Sequence, residues 1–388
     1  MANKPPKYIK YRKKKPNYTI EIVSLVVAVL LVCCAYAGRI NPESFFPAPF
    51  LMLAFMPMLI LTVALLFGVL LWRRWLSIVP LVIALLLVLP VSKKYMPFNT
   101  SETALPMPAD REMVLKVMTY NVLAFNYNDP SLNSTPSASM RLILDVSPDV
   151  VLMQEGSAGG LDWIDMPSVL PYKDQIEKKY PYHYSAVDGL SIMSKYPFTA
   201  TPIGEPYIVR SPLGYNRTQM SYIARAFDLE LPHGKQLRLI NFRLQSYNLS
   251  FGQTKHVRVS PEVKPSPLGR MRRSFAQRGH DAEALRKAID ESPANVIVCG
   301  DMNDVTGSYV YRVICGKDLR DAWCDVGMGY GYTYNSHYLR YRIDHVFYRG
   351  DVRALEGERI TGGNSDHYPL MVTFDIDVTS HHTKPTKE

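Results

Sequence analysis

Seven polar residues stand just after apolar, strand-like runs, and together they could hold a hard divalent cation, steady a charged oxygen and move a proton. They are Asn121 after KVMTY, Glu155 after DVVLMQ, Asp301 and Asn303 in VIVCGDMND, Asp344 in RIDHVF, and Asp366-His367 in GGNSDHYP. Carboxylates at such positions suit a hard divalent cation, amides can hold a charged oxygen, and an Asp with a His can move a proton. Singly, each is an ordinary turn former or helix cap. No H-E-x-x-H, G-x-x-x-x-G-K or G-x-S-x-G occurs, which leaves zinc-protease, nucleotide-triphosphatase and serine-hydrolase readings without support.

The elements that must position these residues alternate between strand and helix. Val114–Asn121 alternates and is rich in strand formers, residues 140–146 have a helical pattern stopped by Ser147-Pro148, and Asp149–Gln154 is a continuous apolar run typical of a buried strand. Further strands are predicted at 190–194, 223–229, 237–244, 295–299, 343–348 and 370–376, with a helix from about Asp281 to Asp290. A mixed α/β (α+β) domain over residues 112–378 follows, with a linker at 92–111 and a disordered tail at 379–388.

The 388-residue chain carries a net charge of +9, yet 12 of its 44 Lys and Arg and only 4 of its 35 acids fall in the first 110 residues. The larger part is therefore nearly neutral, and the basic composition says little about substrate. A basic leader, residues 1–19, precedes three apolar runs predicted as transmembrane helices at about 20–37, 49–72 and 75–91. The first run also fits a cleavable signal peptide ending at Ala35-Tyr36-Ala37. The leader's cations place the N-terminus in the cytoplasm, so three crossings deliver the large domain to the other side of a cell (inner) membrane; Lys93 and Lys94 oppose this weakly. Glu21 is the single charge within the runs, which argues against a channel or transporter. Lys235–Lys287 holds 12 Lys and Arg against three acids, and is read either as a solvated loop or as a surface for phosphates or anionic head groups. The cysteines form no metal or disulfide framework, though a Cys315–Cys324 bridge is open.

In order along the chain, TYNV, QE, GLSIMSKYP, NFRLQS, GDMND, RIDHVF and SDHYP resemble the motifs of the endonuclease/exonuclease/phosphatase superfamily. That group includes pancreatic-type deoxyribonucleases, abasic-site endonucleases, neutral sphingomyelinases and inositol-polyphosphate phosphatases. The resemblance implies a four-layer α/β sandwich with the site at the strand ends. It implies Glu155 as principal Mg2+ ligand (Mn2+ as substitute), with Asn121 and Asp366 completing the metal site. Asp301 would orient and deprotonate water, Asn303 would hold a phosphate oxygen, and His367, paired with Asp344, would contact phosphate and assist proton transfer. Where relatives read N-x-H-L, this chain has Asn241-Phe242-Arg243-Leu244, so Arg243 replaces a second histidine. An arginine binds phosphate bidentately but does not donate a proton near neutral pH.

Two functions are weighed. One is a membrane-tethered, Mg2+-dependent phosphoesterase whose substrate is a lipid head group, a nucleic acid or a small phosphodiester, with the bilayer as its only other partner. The second is a catalytically silent membrane protein that binds a phosphorylated ligand or partner, for which Arg243 speaks. His183, Arg278 and His280 are weaker candidates for the cleft.

Overall fold

The structure, a computed structural model, describes residues 18–99, 113–158, 161–186, 188–210, 218–246, 266–336 and 339–376. The apolar N-terminal region forms the helices α1 (Thr19–Tyr36), α2 (Ala48–Leu53), α3 (Phe55–Leu71) and α4 (Trp75–Tyr95). Two of the three expected spans reach spanning length and composition: Thr19–Arg39 and Trp75–Tyr95, each 21 residues. The middle run does not form one helix. Pro57 offers no N–H and its ring collides with the carbonyl four residues back, at Leu53, so the helix breaks there into α2 and the 17-residue α3.

The chain divides into two compact units. One comprises α1, α3 and most of α4, and many of its large apolar side chains are exposed. Ser24, Thr62 and Ser77 are fully buried beside Ala28 and Ala84, while Ile22, Phe67 and Leu86 are 61% to 64% exposed. Leu31, Val69, Leu81 and Val88 are buried in the same unit. Thr62 returns its hydroxyl to the Met58 carbonyl at 2.7 Å, and Arg74 pairs with Glu21 at 3.3 Å.

The other unit takes residues 36–53 and everything from Pro90. Its strands in chain order are β1 (Val114–Asn121), β2 (Val150–Gln154), β3 (Tyr182–Tyr184), β4 (Ser191–Ser194), β5 (Phe198–Ile203), β6 (Tyr207–Arg210), β7 (Thr218–Ser221), β8 (Ala224–Leu231), β9 (Lys235–Arg243), β10 (Val296–Asp301), β11 (Arg320–Asp321), β12 (Tyr334–Ser336), β13 (Leu339–Tyr341), β14 (Asp344–Arg349), β15 (Val352–Arg359) and β16 (Leu370–Ile376). Helices α5 (Ala138–Val146), α6 (Lys173–Lys179), α7 (Pro267–Asp290), α8 (Tyr309–Cys315) and α9 (Ala322–Val326) complete it. Two six-stranded sheets form, β15-β16-β1-β2-β4-β3 and β11-β14-β10-β9-β8-β5, with hairpins β6-β7 and β12-β13 apart.

Alternation along each strand builds four layers. In β1, Leu115 and Val117 face the second sheet's Phe227, Leu239 and Val346, whereas Met118 and Tyr120 face Met140 and Ile143 of α5. In β9, Leu237 and Leu239 point to the inter-sheet core, and Ile240 and Phe242 to Ala282, Leu285 and Ile289 of α7. Both faces of each sheet are thus buried, which is why the central strands read as unbroken apolar runs.

α7 starts at Pro267, well before the expected Asp281. Ser266 caps it, accepting the Gly269 N–H at 3.1 Å, and Pro267 sits where a missing N–H costs nothing. Its buried face carries Ser274, Arg278 and Gly279 among the apolar residues, so no helical period shows in sequence. The expected linker is also partly built: residues 92–95 finish α4, Asn99 donates to the Cys324 and Gly327 carbonyls at 3.1 and 2.9 Å, and Phe98 bridges Met328. Residues 36–53 join the same unit, where Ala37, Ala48 and Met52 pack on Val305. Residues 100–111 of the expected linker, and the tail, lie outside the described residues. Cys315 and Cys324 are free thiols.

Candidate active site

Register brings the seven residues to one end of the sandwich. β1 and β2 run parallel with Asn121 opposite Gln154, so Glu155 emerges beside Asn121. β9 and β10 run parallel with Arg243 opposite Asp301, and β14 returns antiparallel with Asp344 opposite Asp301. The two sheets are locked just below this end by buried amides: Gln154 Nε2 donates to Asn241 Oδ1 at 2.7 Å and to Thr119 Oγ1 at 3.0 Å, and Asn241 Nδ2 donates to the Met153 and Ser191 carbonyls at 2.9 and 3.1 Å.

Above this floor a hydrogen-bonded chain crosses from sheet to sheet. Asn121 Nδ2 donates to Glu155 Oε1 and to Asp301 Oδ2, both at 3.0 Å. Asn303 donates its backbone N–H to Asp301 Oδ1 at 2.8 Å, and its Nδ2 to Asp301 Oδ2 at 3.0 Å and to the Leu244 carbonyl at 2.9 Å. Both amide hydrogens of Asn303 are committed, so here it braces Asp301 and presents none to an incoming phosphate. Arg243 Nη2 reaches Glu155 Oε1 at 2.6 Å. His367 Nδ1 lies 2.8 Å from Asp344 Oδ2, which makes Nε2 the nitrogen left for chemistry. Ser365 ties the two sides together, donating to the Asn121 carbonyl at 2.7 Å and accepting the His367 N–H at 3.1 Å.

Backbone strain concentrates at this end. Glu155 sits at φ 53°, held by the Gly156 N–H to the Gly189 carbonyl at 2.8 Å; a Cβ on Gly189 would stand 3.0 Å from Glu155 Cα. After Asn121, Leu123, Ala124, Phe125 and Asn126 are all left-handed, with φ between 48° and 59°. None of the first three has a side chain that favours this conformation, at a cost of roughly 1–2 kcal/mol per residue. The turn persists because Val122 and Ala124 donate to the Gln154 and Glu155 carbonyls at 3.0 and 2.9 Å, and Asn126 Nδ2 donates to the Asn364 carbonyl at 2.9 Å. Such over-determined strain clusters at functional sites.

Burial and then the neighbouring Asp344 raise the Asp301 carboxyl to about 6. Burial works against the charged form of His367, but Asp344 outweighs it and lifts the imidazole to about 10. Burial likewise opposes ionisation of Glu155, yet Arg243 and the Asn121 hydrogen bond hold its carboxyl below the usual value. Burial raises Asp366, and the nearby Glu155 adds to that rise.

A hard cation fits this donor set. Four carboxylates, those of Glu155, Asp301, Asp344 and Asp366, face one guanidinium and one imidazole, and Asp344 Oδ1 and Asp366 Oδ1 are buried without a hydrogen-bond partner. Asp301, Asp344 and His367 also offer ligand atoms within 4.8 Å of one another. A His held as the cation by Asp344 is a poor ligand, and both Asp301 oxygens already accept bonds, so the open oxygens of Asp366 and Glu155 are the better donors.

The weaker candidates lie elsewhere. His183 is exposed on β3, its Nδ1 3.3 Å from the Tyr180 carbonyl and its ring against Trp163. Arg278, expected in a surface loop, is fully buried in α7; it donates to the Gln245 carbonyl at 2.9 Å and lies 3.7 Å from Asp304. His280 pairs with Glu43 at 2.9 Å. Residues 247–265 of the basic stretch lie outside the described residues. Sequence reasoning passed over Ser365 and the left-handed turn; the former carries no signal beyond its place in NSDH.

The Endonuclease/Exonuclease/phosphatase family model matches residues 118–367, and a model of a domain of unknown function (DUF8431) matches residues 17–95. Comparison with curated proteins finds no match. Similar solved structures include an endonuclease/exonuclease/phosphatase from Bacteroides vulgatus, 16% identical, covering 69% of this chain and 100% of that one with a TM-score of 0.44. Sphingomyelinase C from Streptomyces griseocarneus is 16% identical over 67% of this chain and 99% of that one, TM-score 0.41. D. rerio TDP2 complexed with single strand DNA product is 17% identical over 68% and 99%, TM-score 0.41.

Proposed function

The chain belongs to the endonuclease/exonuclease/phosphatase family of metal-dependent phosphoester hydrolases, and on that premise we propose that it is a membrane-tethered, Mg2+-dependent phosphoesterase acting outside the cytoplasm. The observation that carries the catalytic part is the continuous chain Glu155–Asn121–Asp301–Asn303 beside the Asp344–His367 pair, with uncommitted oxygens on Asp366 and Asp344.

In this reading Glu155 and Asp366 hold the metal with Asn121 in support; when bound, Mg2+ (or Mn2+) neutralises charge developing on phosphate oxygens. Asp301, fixed by the two asparagines, orients a water and takes its proton. His367, oriented by Asp344, presents Nε2 to the phosphate and to the departing oxygen. Asn303 acts through Asp301. Arg243, with five fixed N–H donors, grips a non-bridging phosphate oxygen once it leaves Glu155.

Two observations favour the tether. The helical unit exposes many large apolar side chains, a surface suited to lipid, and residues 36–53 share a compact unit with residues from 90 onward. If α3, at the lower limit of spanning length, crosses with α1 and α4, residues 36–53 and the sandwich fall on one side of the bilayer, opposite the basic leader. No obligate protein partner is implied.

The test is hydrolysis by the full chain in detergent, with and without Mg2+, of plasmid DNA, RNA, sphingomyelin, phosphoinositides and bis-p-nitrophenyl phosphate. The full chain is needed because a fragment starting at 111 would lack residues 36–53 and 90–99, which pack into the sandwich unit. Metal-dependent cleavage of one class supports the reading and names its substrate. Silence from folded protein that binds Mg2+ favours the alternative, a binding protein with Arg243 closed on Glu155.

A further inference from the structure

We propose that Arg359 and Arg340, seated on Tyr332 and Tyr368, form a second anion subsite on the rim of the catalytic end, for a phosphate of the substrate other than the one hydrolysed. The proposal rests on the phosphoesterase reading of the site. β15 is the edge strand of the first sheet, and its last residue, Arg359, is in register with Leu370, three positions after His367. The Ile360 N–H to Pro369 carbonyl bond, 3.0 Å, closes the same corner. Arg359 thus ends at the same edge of the sheet as Asn121, two strands away, which is about 10 Å at the usual strand spacing.

The support beneath the arginines is built. Arg359 Cζ stands 4.5 Å from the Tyr332 ring centroid and 4.8 Å from that of Tyr368, and Arg340 Cζ stands 5.3 Å from Tyr332. Asn335 Nδ2 fixes the Tyr368 hydroxyl at 2.9 Å. The surrounding hairpin is tied to the catalytic loop: Tyr368 donates its N–H to the Thr333 carbonyl at 2.7 Å, Asn335 donates to the Asp366 carbonyl at 2.9 Å, and the Tyr334 ring meets the His367 ring at 5.2 Å.

What points to a ligand is the absence of any partner charge. Arg225, Arg238, Arg286, Arg342, Arg349 and Arg353 each pair with a carboxylate, whereas among the described residues the exposed Arg141 and Arg312, which stack on no ring, do not. Arg359 and Arg340 pair with none among the described residues, and Arg359 Nη1 is buried without a hydrogen-bond partner. A guanidinium stacked on an aromatic face keeps its N–H edge open in its own plane, which is the geometry that takes a phosphate. Neighbouring phosphates along a nucleic-acid strand and the second phosphate of a phosphoinositide offer the same chemistry.

Full chain in detergent is assayed on two matched pairs. The p-nitrophenyl ester of thymidine 5′-phosphate is compared with its 3′-phosphorylated form, and vesicles of phosphatidylcholine doped with phosphatidylinositol are compared with vesicles doped with its 4-phosphate. Wild type should show a lower KM for the two-phosphate member of one pair, and that pair identifies the source. Arg359→Gln should reduce this preference about tenfold, Arg340→Gln less, with kcat little moved, as expected for a lost charge-assisted contact. Arg353→Gln, at the far end of the same strand, should preserve it. Equal preference in wild type and Arg359→Gln, or no preference in either pair, overturns the subsite. Should no probe be hydrolysed, the hydrolase reading fails separately, and calorimetry with pyrophosphate still decides: binding weakened by Arg359→Gln but retained by His367→Ala supports the subsite, and binding indifferent to Arg359→Gln refutes it.

Discussion

Asp344 and His345 are neighbours on β14, and they serve two buried clusters of charge with opposite hydrogen bonding. His345 belongs with Asp321, whose carboxylate is saturated: Arg342 Nη1 donates to both oxygens at 3.1 and 2.9 Å, the Tyr311 hydroxyl at 2.9 Å and the Trp323 N–H at 3.0 Å. Asp344 belongs with His367, and its Oδ1 has no partner among the described residues, as is true of Asp366 Oδ1 nearby. An unsatisfied buried oxygen costs folding energy, about 1–3 kcal/mol, and persists where a ligand is to complete it. The first cluster leaves Arg342 Nε and His345 Nε2 without a partner among the described residues but closes its carboxylate, and it holds β11, α9 and β14 together, whereas the second keeps carboxylate oxygens open to a ligand. Arg342 Nη2 also donates to the Lys94 carbonyl at 3.0 Å, so the structural cluster fastens the end of α4 as well.

That contrast is broken or upheld by a pair of substitutions that should differ in their effect on activity. His367→Ala should lower kcat/KM on bis-p-nitrophenyl phosphate by about a thousandfold, which is about 4 kcal/mol of transition-state stabilisation, and by unpairing buried Asp344 it should lower the melting temperature as well. Arg342→Met should cost stability alone. It leaves Asp321 buried without its cation, a loss of about 3–5 kcal/mol that lowers the melting temperature by roughly 10 °C, while any folded protein keeps most of its activity. Scanning fluorimetry and initial rates on both variants decide it, and a comparable loss of activity in folded Arg342→Met would erase the distinction.

Arg243 sharpens the comparison within the site. It occupies Glu155 Oε1, so a metal at Glu155 must compete with a guanidinium that relatives with histidine do not have. Arg243→His should raise Mn2+ affinity about tenfold, read by the loss of the free-ion signal in paramagnetic resonance on titration. Unchanged affinity would mean that the ion pair yields without cost.

Much of this end was legible in sequence because each residue follows an apolar strand, and strand register carries such residues to a common edge: β1 and β16 were bounded as observed, Asp301 and Asp344 align through pairing alone, and Asn121 is aligned with Gln154 in the other sheet. What stayed hidden depends on contacts distant in sequence. The left-handed turn after Asn121 is imposed by carbonyls of residues 154, 155 and 364 acting as distant anchors, not by the preferences of Leu, Ala and Phe. Arg278 looked like a surface cation because nothing local announces that Asp304 and the Gln245 carbonyl await it. Residues 48–53 looked like part of a span because Met52 and Ala48 are apolar whichever surface covers them.

The smallest expected effect separates the two clusters by pH. Burial and then Arg342 push the His345 imidazole below its usual value, and Asp321 is held far below the carboxylate range by Arg342 despite burial. Both groups bind more protons unfolded than folded, so both withdraw stability as pH falls, His345 from about 6.5 downward and Asp321 from about 3.9. The raised groups of the site act the other way. Asp301, at about 6, is protonated more readily in the fold, and His367, at about 10, contributes stability below about 6.5 that is lost as pH rises toward 10. Between pH 6.5 and 5 the clusters therefore oppose each other, and the wild-type melting temperature should change little. His345→Phe keeps a ring stacked on Phe347 and removes one of the opposing titrations. Its melting temperature should rise by a few degrees relative to wild type on going from pH 6.5 to 5, and parallel curves would show that His345 does not titrate on unfolding.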